Sequence, residues 1–364
     1  MPSEKDVSRA TSRHREGLLP VQTSRHCEEP KATWQSTAAL TELVDYHSEK
    51  APIIPLDSNP TLGNFVCAMG VFDGLHEGHR FLIAETIKQA RQLGLPAIAI
   101  TFDCDPDELF LEPAKQRKLL INEDRISLLA ESGVDAVLVI PFERELSQRA
   151  PLDFLEVVIA THGNPKGIHV GSDFRFGYKA AGTVEDLQLW GESRGCEIFA
   201  HRLLSDEGSS VTATRIRNAL QAGDLALANK LLTRPHYLWA RVVKGRSAGK
   251  ELGFPTANLE LEERLVCPAD GVYAGAVVVD GKLFRAAISV GVPSTFAGAP
   301  STIEAHILDF DGDLYACKLQ TFFFSYLRPM ITFASVEELQ QTVFENIAQA
   351  RDYPLPENLP LQYR

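Results

Sequence analysis

The chain has 364 residues, 45% hydrophobic and 23% charged, enough material for two globular domains of ordinary soluble composition. Its formal net charge of −12 argues against a general nucleic-acid surface, which needs a basic footprint, so an anionic nucleotide would have to be held in a local pocket. No run approaches the ~20 apolar residues of a membrane span, the first thirty residues lack a signal-peptide core, and six scattered cysteines with no CxxC pair point to a reduced, cytoplasmic protein.

Residues 1–60 carry little periodic apolar pattern and read as an extension. Its first part is expected to be disordered, with one short helix around 36–46 and a loop-like end at Pro52, Pro55 and Asp57-Ser58-Asn59-Pro60. From 61 to 222, strand-like runs at 65–71, 97–102, 136–140, 167–170 and 197–200 alternate with helical periodicity at 80–93, 123–132, 151–161, 183–194 and 214–222. That alternation predicts an α/β domain with a doubly wound, Rossmann-like parallel sheet, whose ligands bind at the strand C-terminal ends.

The densest string, Val71-Phe72-Asp73-Gly74-Leu75-His76-Glu77-Gly78-His79, sits at such an end, between the first strand and the first helix. Gly70, Gly74 and Gly78 allow a tight turn and close approach of a ligand to the backbone. His76 and His79 are three apart and so project from one face of the first helical turn. Two imidazoles beside unpaired helix N–H groups suit the charge that develops on a phosphate under attack. Two further strings follow later strands: Gly171-Ser172-Asp173-Phe174-Arg175-Phe176-Gly177, and Val211-Thr212-Ala213-Thr214-Arg215-Ile216-Arg217 at a helix start. Thr212 and Thr214 taken alone read as N-caps; with helix N–H groups and Arg217 they suit a triphosphate.

A linker helix is expected within 223–236, at 225–232. The pattern then changes to β-branched and aromatic runs at 238–243, 271–279, 283–290, 302–309 and 314–324. Asp280-Gly281 and Asp311-Gly312-Asp313 between these runs read as hairpin turns, and the whole of 237–364 as a small antiparallel β-barrel. A last amphipathic helix at 335–351 would turn Val336, Leu339, Val343, Ile347 and Ala350 toward the barrel. With each segment large enough for its own core, independent folding of 1–230 and 232–364 is expected. Within the second domain, Gly245, Gly249, Lys250 and Gly253 form a glycine-rich loop ending in Phe254-Pro255-Thr256-Ala257-Asn258. The Thr256 and Asn258 oxygens suit Mg²⁺ and phosphate.

The HxGH string resembles the nucleotidyltransferase superfamily, and the longer Gly70-to-His79 pattern its FAD synthetase branch. The Gly171–Gly177 and Val211–Arg217 strings match the same module, and Gly-Phe-Pro-Thr-Ala-Asn resembles the riboflavin kinase signature. Together they resemble bacterial bifunctional riboflavin kinase/FMN adenylyltransferases, over about residues 62–353. The resemblance implies Mg²⁺-dependent phosphorylation of riboflavin to FMN by ATP, then adenylyl transfer from a second ATP to FMN, giving FAD and pyrophosphate. ATP, riboflavin and FMN would be its only partners, in a monomer or weak homo-oligomer without nucleic acid or membrane.

By resemblance, His76 and His79 contact the α-phosphate and leaving group, with Gly70, Phe72, Asp73, Gly74 and Gly78 around them, and Thr212, Thr214 and Arg217 reach the outer phosphates. Asp105, Asp173, Arg175 and Gly177 would build the flavin side of that pocket, and Arg328 that of the kinase. Glu304 aligns with the family's catalytic base. Asp105 and Ala213 depart from the usual His and Ser, which leaves open a riboflavin kinase with a weak or redirected adenylyltransferase half. A third reading is a non-catalytic flavin- or nucleotide-binding regulator, against which intact His76, His79 and Glu304 argue.

Overall fold

The computed structural model describes residues 50–55, 61–104, 117–245, 252–261, 264–291, 302–356 and 359–361. The expected helix at 36–46, Asp57-Ser58-Asn59-Pro60, Asp105, Gly249 and Lys250 lie outside them. The first sheet is made by β1 (Ile53–Pro55), β2 (Asn64–Met69), β3 (Ala97–Phe102), β4 (Ala136–Ile140), β5 (Asn164–Gly171) and β6 (Glu197–His201). All its pairs are parallel, in the order β1-β4-β3-β2-β5-β6. The continuous apolar runs of β3 and β4 are buried throughout, as strands covered on both faces require. Strand order reverses between β2 and β5, the position at which doubly wound sheets open a crevice beyond their strand ends.

Helices α1 (Glu77–Leu93), α2 (Asn122–Ala130), α3 (Arg144–Ser147), α4 (Pro151–Leu155) and α5 (Val184–Glu192) connect these strands. Their ends follow local chemistry. Gly94 closes α1 in the left-handed region, and Thr183 with Asp186 forms a capping box on α5. Two expectations are corrected. The helix expected at 151–161 changes to π geometry over Glu156–Ala160. The stretch holding Pro52 and Pro55 is not simply a loop, because Ile53–Pro55 pairs with Val137, Leu138 and Val139. Proline is admitted there because β1 is an edge strand, where a missing N–H leaves no inner ladder broken.

A small hairpin of β7 (Ser205–Asp206) and β8 (Ser209–Ser210) leads into α6 (Ala213–Ala222) and α7 (Leu225–Leu232). Six antiparallel strands then close a barrel: β9 (His236–Val243), β10 (Ala257–Leu261), β11 (Gly271–Val279), β12 (Lys282–Gly291), β13 (Thr302–Ile307) and β14 (Lys318–Arg328). Their order is β10-β13-β12-β11-β14-β9. Asp280 and Gly281, both at positive φ, make the β11–β12 turn. Asp311-Gly312-Asp313 does not make a hairpin, since β13 pairs with β10 and β12 while β14 pairs with β11 and β9. The terminal helix α8 (Val336–Asp352) lies on β11 and β12. Ala350 and Ile347 pack inward, whereas Val336, in the first turn beyond the Ser335 cap, is 53% exposed and not part of the buried stripe.

The sheet and barrel modules share one core. Leu75, Leu119 and Leu128 belong to the same apolar cluster as Leu231, Leu232, Tyr237 and Leu265. Polar links cross the same boundary: Trp239 Nε1 donates to Asp124 at 2.6 Å, Arg234 Nη2 to the Gly74 carbonyl at 2.8 Å, and the Ala269 N–H to the Leu220 carbonyl at 2.9 Å. A cut between 230 and 232 would fall inside α7 and expose Leu231 and Leu232, which are fully buried. Independent folding of the two pieces therefore conflicts with this packing. Exposing such side chains costs about 1.5–3 kcal/mol each.

Candidate active sites

The first site forms where β2 ends. Phe72, and beyond Asp73 the pair Gly74 and Leu75, take φ of 59°, 77° and 40°, coiling the chain into a turn that delivers α1 pointing away from the crevice. A side chain at Gly74 would meet Leu119 Cδ1 at 2.6 Å, so both the backbone angle and the space demand glycine. Phe72 has no such freedom and holds a conformation rare for a bulky residue, the kind of strain that persists at functional sites.

His76 is the N-cap of α1. Its Nδ1 accepts the His79 backbone N–H at 3.4 Å, which places the proton of the neutral ring on Nε2. The two imidazoles stack with centroids 3.7 Å apart and planes 17° apart, and Phe72 meets His79 edge-on at 5.3 Å. Burial and the Arg217 charge lower the His76 pKa to about 4. Burial, His76 and Arg125 hold His79 well below the ordinary histidine value. Both rings are therefore neutral N–H donors near pH 7. The buried Nδ1 of His79 has no hydrogen-bond partner among the described residues.

These rings open onto a cleft of about 250 Å³, lined also by Gly70, Phe72, Gly78, Asp173, Phe174, Thr212 and Ala213. Thr212 caps α6 by accepting the Arg215 N–H at 3.2 Å, so two helix N-termini converge on one cavity. Other expected members lie elsewhere. Asp73 and Arg217 do not line the cleft: they form an ion pair at 2.6 Å, and Asp73 also accepts the Leu119 N–H at 3.1 Å. At that range the two charges tie the turn to α6. Gly74 supplies backbone shape beneath the cleft, Thr214 and Arg175 are exposed outside it, and Gly177 is half-buried against Pro151. Sequence reasoning missed His201, Arg202, Leu203 and Leu204, which complete the wall from the end of β6. Their one signal was position, just past the C-terminal end of a parallel strand.

The second site lies at one mouth of the barrel, a cavity of about 330 Å³ lined by Gly245, Pro255, Thr256, Asn258, Asp311, Asp313 and Tyr315 among others. Asn258 stands directly opposite Glu304, Glu304 opposite Ser289, Ser289 opposite Val272, and Val272 opposite Arg328. Directly opposed residues share a face, so one row around the barrel carries all five. The Thr256 hydroxyl donates to Glu304 Oε2 at 3.3 Å. Arg328 Nε donates to Asn346 Oδ1 of α8 at 2.8 Å, and Phe254 meets Phe344 edge-on at 6.0 Å. The segment 252–256 thus runs from α8 to the barrel mouth. A side chain at Gly245 would overlap the Asn258 amide.

Thr256, Asn258 and the Asp311 and Asp313 carboxylates are hard oxygen donors of the kind Mg²⁺ takes. Among the described residues no three His, Cys, Asp or Glu side chains converge on one point. Such an ion would complete its shell from phosphate and water.

One solution property follows from the histidines. Burial lowers His76 and His169 to about 4 and His236 to about 3, with His79 lowered in the same direction. The unfolded chain takes up these protons below about pH 6.5 and the folded chain does not, so stability present above 6.5 is lost as pH falls toward 4. Each histidine steepens the loss by up to ~1.4 kcal/mol per pH unit. Urea unfolding midpoints should fall markedly from pH 7 to pH 5; a constant midpoint would show that these rings are accessible to protons in the folded state.

Comparison with known proteins agrees with this division. The FAD synthetase family model matches residues 58–215 and the riboflavin kinase model residues 232–354. A bifunctional riboflavin kinase/FMN adenylyltransferase of Pseudomonas fluorescens is 34% identical over 292 residues, covering 80% of this chain and 93% of the relative. That of Escherichia coli K12 is 34% identical over 289 residues, 79% and 92% of the two chains. A crystal structure described as a macrolide-efflux protein of Streptococcus pneumoniae superposes with a TM-score of 0.74 at 31% identity, over 83% of this chain and 99% of that one. Among the described residues no helix is long and apolar enough to cross a membrane.

Proposed function

This chain belongs to the bifunctional riboflavin kinase/FMN adenylyltransferase family, making FMN from riboflavin and FAD from FMN, and we propose that its two clefts divide those steps between them. The barrel mouth carries riboflavin phosphorylation. Glu304 takes the proton of the riboflavin 5′-hydroxyl as that oxygen attacks the γ-phosphorus of ATP, and ADP leaves. The Thr256 hydroxyl at 3.3 Å holds the Glu304 carboxylate in one orientation. Thr256 and Asn258 would hold Mg²⁺, which when bound offsets charge on the phosphates. Arg328 and the adjoining face of α8 would hold the flavin.

The crevice between β2 and β5 carries adenylyl transfer. An FMN phosphate oxygen attacks the α-phosphorus of ATP, and the bond to the β-phosphate oxygen breaks to release pyrophosphate. The nucleophile is already ionised, so the chain needs no base there; it must position two anions and stabilise charge on the phosphates. His76 and His79 supply N–H donors, and the N-termini of α1 and α6 add their dipoles. Asp173 and Phe174 would face the flavin.

The observation that carries the division is chemical. The Glu304 carboxylate is held on the barrel, and the stacked neutral histidines are held at the sheet. Incubating the chain with riboflavin and ATP, then separating flavins by chromatography, should give FMN first and FAD after it. EDTA should stop both products and added Mg²⁺ restore them. Undiminished FMN formation in EDTA would remove the ion from the kinase step.

A further inference from the structure

His201 faces the adenylyl-transfer cleft with a chain of hydrogen bonds behind it that the reaction, as described, does not use. Glu197 Oε2 accepts from Gln89 Nε2 at 3.1 Å, which fixes the amide so that its oxygen faces His169. That oxygen lies 2.9 Å from His169 Nε2, and His169 Nδ1 lies 2.9 Å from His201 Nε2. Only one proton order satisfies every link. An amide oxygen can only accept, so His169 carries its proton on Nε2 and presents a lone pair at Nδ1; His201 must then donate from Nε2.

The neutral His201 ring is left with a bare lone pair at Nδ1. That atom has no partner among the described residues, and the ring lines the cleft. Burial lowers both rings below the ordinary histidine value, against the opposing pull of Glu85, so the neutral forms prevail near pH 7. The chain is also built rather than incidental. His169 is 2% exposed and stacks on Phe199 at 4.7 Å. A side chain at Gly167 would collide with Gln89 Oε1 at 2.1 Å, so the strand leaves room for that amide.

Beside His201 the apolar part of the wall is Phe81, whose ring it meets edge-on at 5.5 Å, with Leu203 and Leu204, while Arg202 also lines the cleft. Such walls suit a flat heterocycle, while the phosphates belong with His76, His79 and the helix N-termini. We propose that His201 is a specificity residue of this cleft, its Nδ1 accepting a hydrogen bond from the exocyclic amino group of adenine, with Gln89 and His169 as positioning residues that fix its tautomer. The inference rests on assigning adenylyl transfer to this cleft.

The test compares ATP with purine riboside triphosphate, which lacks the 6-amino group, as adenylyl-type donors to FMN. The full-length chain should prefer ATP roughly tenfold in kcat/KM, the worth of one neutral hydrogen bond. His201→Phe should bring the ratio near one, and Gln89→Met, remote from the cleft, to an intermediate value. A purely structural defect would slow both donors alike and leave the ratio unchanged. A wild-type ratio near one, or a wild-type ratio retained in His201→Phe, overturns the proposal while His79→Ala still reports on the cleft. Full FAD formation in His79→Ala would instead remove the cleft assignment, and the proposal with it.

Discussion

Glu304→Gln should lower riboflavin phosphorylation by ~10²–10⁴-fold, the usual effect of losing a general base. The substitution keeps the shape and one hydrogen-bonding oxygen, so Thr256 can still donate to the side chain and β13 still pairs with β10 and β12. What is lost is the ability to accept a proton from a neutral hydroxyl. The loss should therefore fall on kcat, with riboflavin affinity, read by quenching of flavin fluorescence, within a few-fold of the parent. Turnover within a few-fold of wild type would show that another group, or water, takes the proton.

His79→Ala should lower FAD formation from FMN by ~10²–10³-fold, the cost of removing one preorganised donor from a site of developing charge. The backbone N–H of residue 79 still reaches His76, so the cap of α1 survives. Phe72 loses its edge-on partner, and that cavity adds a stability penalty readable as a lower melting temperature. Riboflavin phosphorylation, carried out on the barrel, should continue. His79→Gln, which keeps an N–H donor of similar reach, should recover part of the rate. Equal loss in the alanine and glutamine variants would point to packing rather than donation.

The parts of this architecture that depend on short spans of chain were legible in the sequence. β3 and β4 announce themselves as unbroken apolar runs, and His76 and His79 by their spacing between a strand and a helix. Thr256, Asn258 and Glu304 stand out by their strings, and strand pairing sets Asn258 directly beside Glu304. What could not be read depends on distant partners. β10 has one fully buried residue in five, Leu259, and takes its strand form from β9 and β13. Asp311-Gly312-Asp313 has hairpin chemistry, yet the flanking strands have better partners elsewhere in the barrel. The pairing of Asp73 with Arg217, 144 residues apart, is likewise a product of the fold that neither string encodes. The positive φ of Phe72 and Leu75, on either side of Asp73 and Gly74, is not encoded by the propensity of either residue, and Leu119 and Leu232 pack against the turn at Gly74.

Two chemically distinct sites on one chain should be separable by feeding experiments on two variants. With ATP and Mg²⁺, Glu304→Gln should make FAD when given FMN but almost nothing when given riboflavin. His79→Ala, given riboflavin, should stop at FMN. If either substitution blocks both conversions in protein that remains folded, a single shared site performs both steps and the division proposed here is wrong.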